Sequence, residues 1–351
     1  MFLSPRPVLG ALLAAFLTLT PATAAAPSAG PDPSTGPDPS PGPDPSPGPD
    51  RSAGAALSAG PAATFWVNPD TAAARQAAAY REQRRPAEAR LIDRIATRAQ
   101  AAWLNGANPG PAVRAVTLAA TRAHRTPVLV AYNIPHRDCG LHSAGGAGGA
   151  AAYRAYINSF ASGLGSRAAY VIVEPDAVAS TVAGCAGADT KERYGLLAYA
   201  VNRLSALPRT RVYLDAGNAS WIPDVWQLAA ALRSAGVGKA DGVALNVSNY
   251  RTNKESSAYG RRLVTALGGG KHLVIDTSRN GNGPYRGADA WCNPPGRALG
   301  VPPTTRTGDP LVDAYLWVKR PGESDGTCRG GPVAGAWWAA KGLELARNAR
   351  G

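Results

Sequence analysis

The sequence of 351 residues has few of the features that identify membrane proteins, nucleic-acid-binding proteins and metalloenzymes. Apart from one run at the N-terminus, no apolar stretch approaches the length of a bilayer, so we expect no membrane association. Only six of the 37 basic residues are lysines. The basic residues are scattered along predicted helices without a cluster or recognition motif, so the net charge of +13 favours a solvated basic surface over a nucleic-acid partner.

Histidine and cysteine are also scarce, with four of each. The histidines lack the spacing of metal ligands such as H-E-x-x-H, so we expect no metal. The sequence has no nucleophile elbow either. A glycine-rich stretch at 146–151 resembles a dinucleotide fingerprint, but it follows a loop (139–144) rather than a strand. We therefore predict a flexible active-site loop and no cofactor, and a nicotinamide-dependent enzyme stays as an alternative.

Residues 1–26 have the three parts of a secretory signal peptide. Arg6 supplies the positive region, residues 8–19 the apolar run, and 22–24 (Ala-Thr-Ala) a small-residue cleavage site. We predict a secreted, extracellular protein. In that oxidising environment the four cysteines are expected to pair, although their number alone leaves three connectivities open.

Residues 27–62 are rich in proline, glycine, aspartate and serine, and a Gly-Pro-Asp-Pro-Ser unit recurs between 30 and 50. Proline fixes φ, glycine interrupts regular structure, and nothing apolar can be buried. We predict a disordered, extended linker here. The globular domain is expected at 63–351.

In that domain, short apolar runs alternate with helical patterns about every 40 residues. Predicted strands cover 64–67, 127–134, 169–174, 211–215, 242–247, 272–276 and 314–318, and predicted helices cover 88–103, 112–125, 150–163, 190–207, 224–235 and 256–267. Apolar runs of this kind are typical of strands buried on both faces of a parallel sheet. We predict an α/β fold, a distorted and partly open TIM-like (β/α) barrel, with a doubly wound open sheet as the alternative.

Polar residues follow the ends of these predicted strands. They are Arg137, Asp138, Glu174, Asp176, Asp215, Asn246, Asn249, Asp276, Lys319, Glu323 and Asp325. Because the carboxyl ends of parallel strands meet at one face, we expect an active site there. Some carboxylates could instead cap helices, which is the role we predict for Asp189 and Asp224.

Tryptophan outnumbers phenylalanine by eight to four. Trp103, Trp221 and Trp291 lie near predicted loops or strand ends, where an indole can stack on a sugar ring; Trp317 and Trp338 are expected in the core. Carboxylates with aromatic platforms favour glycoside hydrolysis. That reaction needs one protonated acid and a second group that directs water or attacks carbon.

Seven motifs resemble glycoside hydrolase family 6, in order, over roughly four fifths of the chain. They are VAYNIPHRDC at 130–139, VEPD at 173–176, YLDAG at 213–217, NVSNY at 246–250, DTSRNGNG at 276–283, WCNP at 291–294 and WVKRPGESDG at 317–326. The resemblance implies an inverting β-1,4-glucanase that acts on cellulose or a related β-glucan. An inverting enzyme keeps its acid and base carboxyls about 6.5–9.5 Å apart.

The resemblance also implies residue roles. Asp176 would be the general acid, and Asp138 would tune its pKa and help to place water. Asp325 would be the candidate base, Tyr132 would press on the distorted sugar ring, and Asp215 would stabilise charge. Sugar subsites would be lined by Trp103, Trp221, Asn249, Trp291, Lys319 and Glu323.

Further implications concern the loops. The resemblance implies disulfides Cys139–Cys185 and Cys292–Cys328, which would pin active-site loops. The segments 180–192 and 281–291 are short, which favours an open cleft and cutting inside glucan chains. Asn218 stands where the family usually has histidine, and Asn105 where some members carry an acid. The alternatives are a cellobiohydrolase of this family and an inactive carbohydrate-binding protein. We expect the protein to be a monomer.

Overall fold

A computed structural model gives the structure of the protein and describes residues 65–350. The predicted signal peptide and linker lie outside these residues. Within 65–350, no helix is both long and apolar enough to cross a membrane. The described residues belong to one compact unit.

A parallel sheet forms the centre of the fold. Its strands are β1 (Ala102–Leu104), β2 (Val128–Ala131), β3 (Ala169–Val173), β4 (Thr210–Asp215), β5 (Gly242–Leu245), β6 (His272–Asp276) and β7 (Val312–Leu316). The spatial order is the order along the chain, and each strand pairs in parallel with the next. A doubly wound sheet reverses its strand order part-way, so the open-sheet alternative was wrong.

Helices connect the strands and cover the sheet. They are α1 (Ala72–Glu82), α2 (Pro86–Ala96), α3 (Gly110–Arg122), α4 (Ala150–Leu164), α5 (Ala177–Val182), α6 (Thr190–Ser205), α7 (Val225–Ser234), α8 (Asn253–Ala266) and α9 (Ala339–Asn348). Asp189 caps α6 and Asp224 caps α7, as expected, because each carboxylate accepts backbone N–H bonds from the first turn.

The sheet curls into a partly closed barrel. β1 and β7 do not form a ladder, but the N–H of Ala101 donates to the carbonyl of Trp317 at 3.0 Å. Alternate residues of each strand point to opposite faces. Val130 and Ile172 fill the barrel interior, whereas Leu129 and Val171 pack outward against helices. The predicted partly open TIM-like barrel is confirmed, and burial on both faces explains the apolar strands.

Two predicted elements were wrong. A strand was predicted at 64–67, but residues 65–67, the part of it that the structure describes, form no strand; Phe65 makes only an isolated bridge there, to Thr126. The first strand is instead β1, where a helix at 88–103 was predicted, and α2 ends at Ala96. The run Ala101-Ala102-Trp103-Leu104 is too short for periodicity to distinguish helix from strand. The core position of Trp317 is confirmed, whereas Trp338 is half-buried.

Candidate active site

Glu174, directly after β3, links two neighbouring strand ends. Its fully buried carboxylate accepts the backbone N–H groups of Asn133 and Ile134, which follow β2, at 2.9–3.0 Å. Burial raises the pKa of Glu174 to about 7, and these hydrogen bonds limit the increase. Glu174 therefore holds the β2 and β3 loops in register beneath the site.

Asp176 and Asp215 form the next link. The N–H of Asp176 donates to Oδ1 of Asp215 at 2.9 Å, and the N–H of Gly217 donates to the same oxygen at 3.1 Å. Oδ2 of Asp215 is buried and accepts no hydrogen bond from residues 65–350. Burial raises the pKa of Asp215 to about 7. The ends of β3 and β4 thus place the carboxylate of Asp215 against the backbone of Asp176.

The electrostatic setting of Asp176 favours a protonated carboxyl. Burial raises its pKa well above the ordinary value, and the nearby carboxylates of Asp215 and Asp138 raise it further. Lys319 acts in the opposite direction. The side chain is nevertheless only half-buried, so a ligand can reach it. A proton donor at neutral pH needs this combination.

Asp138 lies in a loop that Arg137 holds together. The N–H of Ser143 donates to Oδ2 of Asp138 at 2.6 Å. Arg137 donates to the carbonyls of Ser143 at 2.8 Å and Tyr132 at 2.9 Å, and its guanidinium lies 4.7 Å from the centre of the Tyr132 ring. Burial raises the pKa of Asp138. The loop thereby presents Tyr132 and Asp138 together beside Asp176.

The glycine-rich stretch completes this loop. At Gly146, φ is +105° and an added Cβ would lie 1.9 Å from the carbonyl oxygen of Ile134. Only glycine can therefore occupy this position. The stretch leads from a loop into α4 and not from a strand, so the arrangement required for a dinucleotide fingerprint is absent.

The surroundings of Asp325 favour an ionised carboxylate, whereas those of Asp176 favour a protonated one. Its carboxylate accepts Nη1 of Arg279 at 2.8 and 2.9 Å, the hydroxyl of Tyr250 at 3.1 Å and the N–H of Asn293 at 3.0 Å; Nζ of Lys319 lies 3.5 Å away. Burial alone would raise the pKa of Asp325, but Arg279 and Lys319 outweigh it and hold the pKa below the ordinary value. Asp325 therefore stays ionised.

Asp276 ties the last strands together. Its buried carboxylate accepts the backbone N–H groups of Ser248 at 3.0 Å and Lys319 at 2.9 Å, and its carbonyl accepts Nδ2 of Asn246 at 2.7 Å. The loops after β5 and β7 are thus fixed to the end of β6. Because Lys319 also affects the pKa of both Asp176 and Asp325, it connects the two halves of the site.

Of the six predicted sugar-contacting residues, Lys319 and Glu323 are buried, whereas Trp221 and Trp291 are exposed. Trp103 is half-buried, meets Tyr132 edge-on with ring centres 5.0 Å apart, and donates its indole N–H to Val318. The side chain of Asn249 accepts the N–H of Tyr250.

Trp291 also contacts another loop. Its ring centre lies 5.7 Å from that of His142, which is in the Asp138 loop.

The loops are joined by disulfides Cys139–Cys185 and Cys292–Cys328, the pairing that the resemblance implies. Among residues 65–350, no group of three or more histidine, cysteine, aspartate or glutamate side chains is arranged to hold a metal.

Sequence reasoning assigned no role to Arg279, Tyr250 or Asn293. All three lie in the motifs quoted above, and that membership is the only feature of the sequence that could have indicated a role for them. Their contacts with Asp325 span 32 to 75 residues, so no local pattern reveals them.

Comparison with known proteins decides the family, because the sequence model of glycosyl hydrolases family 6 matches residues 61–349. The chain belongs to glycosyl hydrolase family 6. This confirms the resemblance drawn from the seven motifs and identifies the protein as a glycoside hydrolase.

Individual proteins similar to this family 6 chain support the same family assignment. It is 44% identical over 296 residues to Endoglucanase A of Cellulomonas fimi, and the match covers 83% of the chain but 62% of that protein. The endoglucanase Cel6 from Mycobacterium tuberculosis has a similar structure, with TM-score 0.76, 46% identity and coverage of 82% and 97% of the two chains. The cellobiohydrolase Cel6A from Chaetomium thermophilum gives TM-score 0.74 at 26% identity, covering 82% and 97%.

Proposed function

We propose that the protein is a secreted, inverting β-1,4-glucanase that hydrolyses internal bonds of cellulose or a related glucan. The observation that carries the proposal is the contrast between two carboxyl groups. The pKa of Asp176 is raised well above the ordinary value, whereas that of Asp325 is lowered. One protonated and one ionised carboxyl are what a general acid/base glycosidase requires.

In this mechanism Asp176 donates its proton to the oxygen of the leaving sugar. Positive charge develops at the anomeric carbon as the glycosidic bond breaks. The carboxylate of Asp215 stabilises that charge, and Tyr132 presses on the distorted ring. Asp138 tunes the pKa of Asp176 and helps to place the attacking water. Asp176 keeps its proton at higher pH than an ordinary aspartate because burial and both neighbours disfavour its ionised form.

Water attacks the opposite face of the sugar and loses a proton to a base. Asp325 is the candidate acceptor, either directly or through a chain of waters. Its two cationic partners keep it ionised, which is required of a base, but they also reduce its affinity for a proton. Transfer through water would allow Asp325 to act while it remains paired with Arg279.

Cutting inside chains is supported by the short segments 180–192 and 281–291 and by the names of two similar proteins, the C. fimi and M. tuberculosis endoglucanases. One observation favours the cellobiohydrolase alternative. His142 and Trp291 bring two loops at the strand ends into contact, which would narrow the groove.

The deciding experiment follows the viscosity of carboxymethylcellulose together with the release of reducing ends. Internal cutting lowers viscosity steeply at little reducing-end release, and crystalline cellulose should yield little cellobiose. Proton NMR of early products should show the α-anomer. Dominant cellobiose release would favour the alternative, an initial β-anomer would contradict inversion, and binding without hydrolysis would indicate the inactive carbohydrate-binding protein.

A further inference from the structure

Arg193 is a buried arginine of α6 to which the mechanism assigns no role. It lies in the first turn of that helix and is only 3% exposed. Its Nη2 donates to two consecutive backbone carbonyls, those of Pro135 at 2.9 Å and His136 at 2.8 Å. Both carbonyls belong to the turn between β2 and Asp138. Because burial of a guanidinium is costly, these hydrogen bonds are needed to keep the side chain in place.

Arg193 and Glu174 hold this turn by complementary hydrogen bonds. The carboxylate of Glu174 accepts its first two N–H groups, and Arg193 donates to its next two carbonyls. The φ values of His136 and Asp138 are 54° and 56°. Non-glycine residues keep such a conformation only where the surrounding structure fixes it. The turn that carries Asp138 is therefore fixed by two charged side chains from other elements.

Arg193 also contacts the helix that begins after Asp176. Its Nη1 lies 3.4 Å from the hydroxyl oxygen of Ser180, a buried residue of α5. The N–H of Ser180 donates to the carbonyl of Asp176 at 2.8 Å. One side chain thus joins the first turn of α5 to the turn before Asp138.

The disulfide Cys139–Cys185 joins the same two segments a second time. Cys139 is next to Asp138 in the chain, and the N–H of Cys185 donates to the carbonyl of Ser180 at 3.0 Å. The disulfide restrains the distance between the segments. The planar guanidinium of Arg193 has acceptors in both segments, so it also restrains their relative orientation.

We propose that Arg193 is a positioning residue that fixes the loop of Asp138 relative to the helix that follows Asp176. This inference rests on the proposed function, in which both aspartates act on the same glycosidic bond. Arg193 touches neither carboxyl group, so it acts through the placement of the loop.

Charged and titratable groups act on each of these residues: Asp215, Asp138 and Lys319 on Asp176, His142 and Arg137 on Asp138, and Glu174 and Tyr194 on Arg193. The charge of Arg193 is not among those that set the pKa of Asp176. The carboxylate of Asp138 raises that pKa, and its effect weakens as the two carboxyls separate. A loop released by removal of Arg193 holds Asp138 less closely, so Asp176 should lose its proton at a lower pH.

The test compares the full chain with Arg193→Met and Arg193→Lys. The alkaline limb of kcat/KM is measured on a soluble glucan, and the pKa of Asp176 is measured directly by carbon-13 NMR of labelled carboxyl groups. We expect Arg193→Met to move both to lower pH by about 0.5–1 unit. Arg193→Lys should move them less, because lysine keeps the charge but lacks the planar fork. The control Lys191→Met removes an exposed cation from the same helix and should change neither value.

A double variant separates positioning from a purely structural role. In the Asp138→Asn background, Arg193→Met should give no additional shift, because the neighbouring carboxylate has gone. An additional shift of the same size would overturn the inference, and so would an unchanged alkaline limb in a folded Arg193→Met protein. If near-UV circular dichroism shows that Arg193→Met does not fold, an unchanged limb in Arg193→Lys overturns the inference in the same way.

The two proposals fail separately. If the wild-type protein hydrolyses no β-1,4-glucan, the proposed function is contradicted. The NMR titration needs no turnover, so a lower pKa of Asp176 in Arg193→Met would still support the positioning role.

Discussion

The carboxylate of Asp325 is paired with Nη1 of Arg279 at 2.8 Å, and the arginine side chain is only 1% exposed. The two residues come from different loops, 46 positions apart in the chain. An ion pair buried to this degree depends on both partners, because removal of Arg279 leaves the buried Asp325 with Lys319, 3.5 Å away, as its main compensating charge.

Arg279→Met should therefore destabilise the fold by about 3–5 kcal/mol, measured by urea unfolding. Removal of the cation also raises the pKa of Asp325, since burial is then opposed mainly by Lys319. If Asp325 is the base, it must be ionised, so the acid limb of kcat/KM should move to higher pH.

The control is Arg81→Met, which breaks the exposed pair between Arg81 and Asp93. That change should cost less than about 1 kcal/mol. A stable Arg279→Met protein with an unchanged acid limb would contradict both parts of the prediction.

Asp176→Asn should lower kcat by about 10²- to 10⁴-fold with the fold retained, because an amide cannot donate the proton that the leaving oxygen needs. Reducing-sugar release and near-UV circular dichroism measure the two effects. Asp189→Asn is the matched control, since Asn also caps helices well and Asp189 only caps α6. Normal turnover in Asp176→Asn would remove it from the mechanism.

Asp138→Asn should move the alkaline limb of kcat/KM to lower pH. The carboxylate of Asp138 raises the pKa of Asp176, so its neutralisation lets Asp176 lose its proton at a lower pH. A pH profile on a soluble glucan measures the shift. An alkaline limb that stays in place would mean that Asp138 does not tune Asp176.

The free energy of unfolding should reveal the titration of Glu174. Burial raises its pKa from 4.5 to about 7 in the folded protein, so between these values the folded state binds more protons than the unfolded state. The contribution of Glu174 to stability is complete below pH 4.5 and is lost as the pH rises through 7.

Glu174→Gln cannot titrate. The wild-type protein should therefore lose stability relative to this variant between pH 4.5 and 7, measured by urea unfolding at several pH values. A constant difference across this range would show that Glu174 does not change its protonation there.

The sequence predicted the barrel and the meeting of strand-end carboxylates because both follow from local patterns. Apolar runs identify buried parallel strands, and such strands bring their carboxyl ends to one face. Asp215 could be placed in this way. The bond from Asp176 to Asp215 could not, because it depends on the path of the chain after Glu174.

The misassigned β1 and the unassigned Arg279 have different explanations. β1 has three residues, of which only Leu104 is buried, so its pattern is weak. Arg279 is in a recognisable motif, but arginine followed by asparagine and glycine also resembles an exposed turn. Only the tertiary structure shows that it lies beside Asp325.

The backbone at the strand ends is unusual as well. Asp138, Glu174 and Asp176 have φ values of 56°, 45° and 70°, in the left-handed region that favours glycine. Each such residue carries a free-energy cost of about 1–3 kcal/mol. A laboratory selection for heat tolerance alone would therefore favour glycine at Asp176, whereas the hydrogen bonds that the carboxylates of Asp138 and Glu174 accept offset this gain at their positions. Engineering of a more thermostable variant has to leave these three residues unchanged and introduce stabilising substitutions in the helices and outer loops.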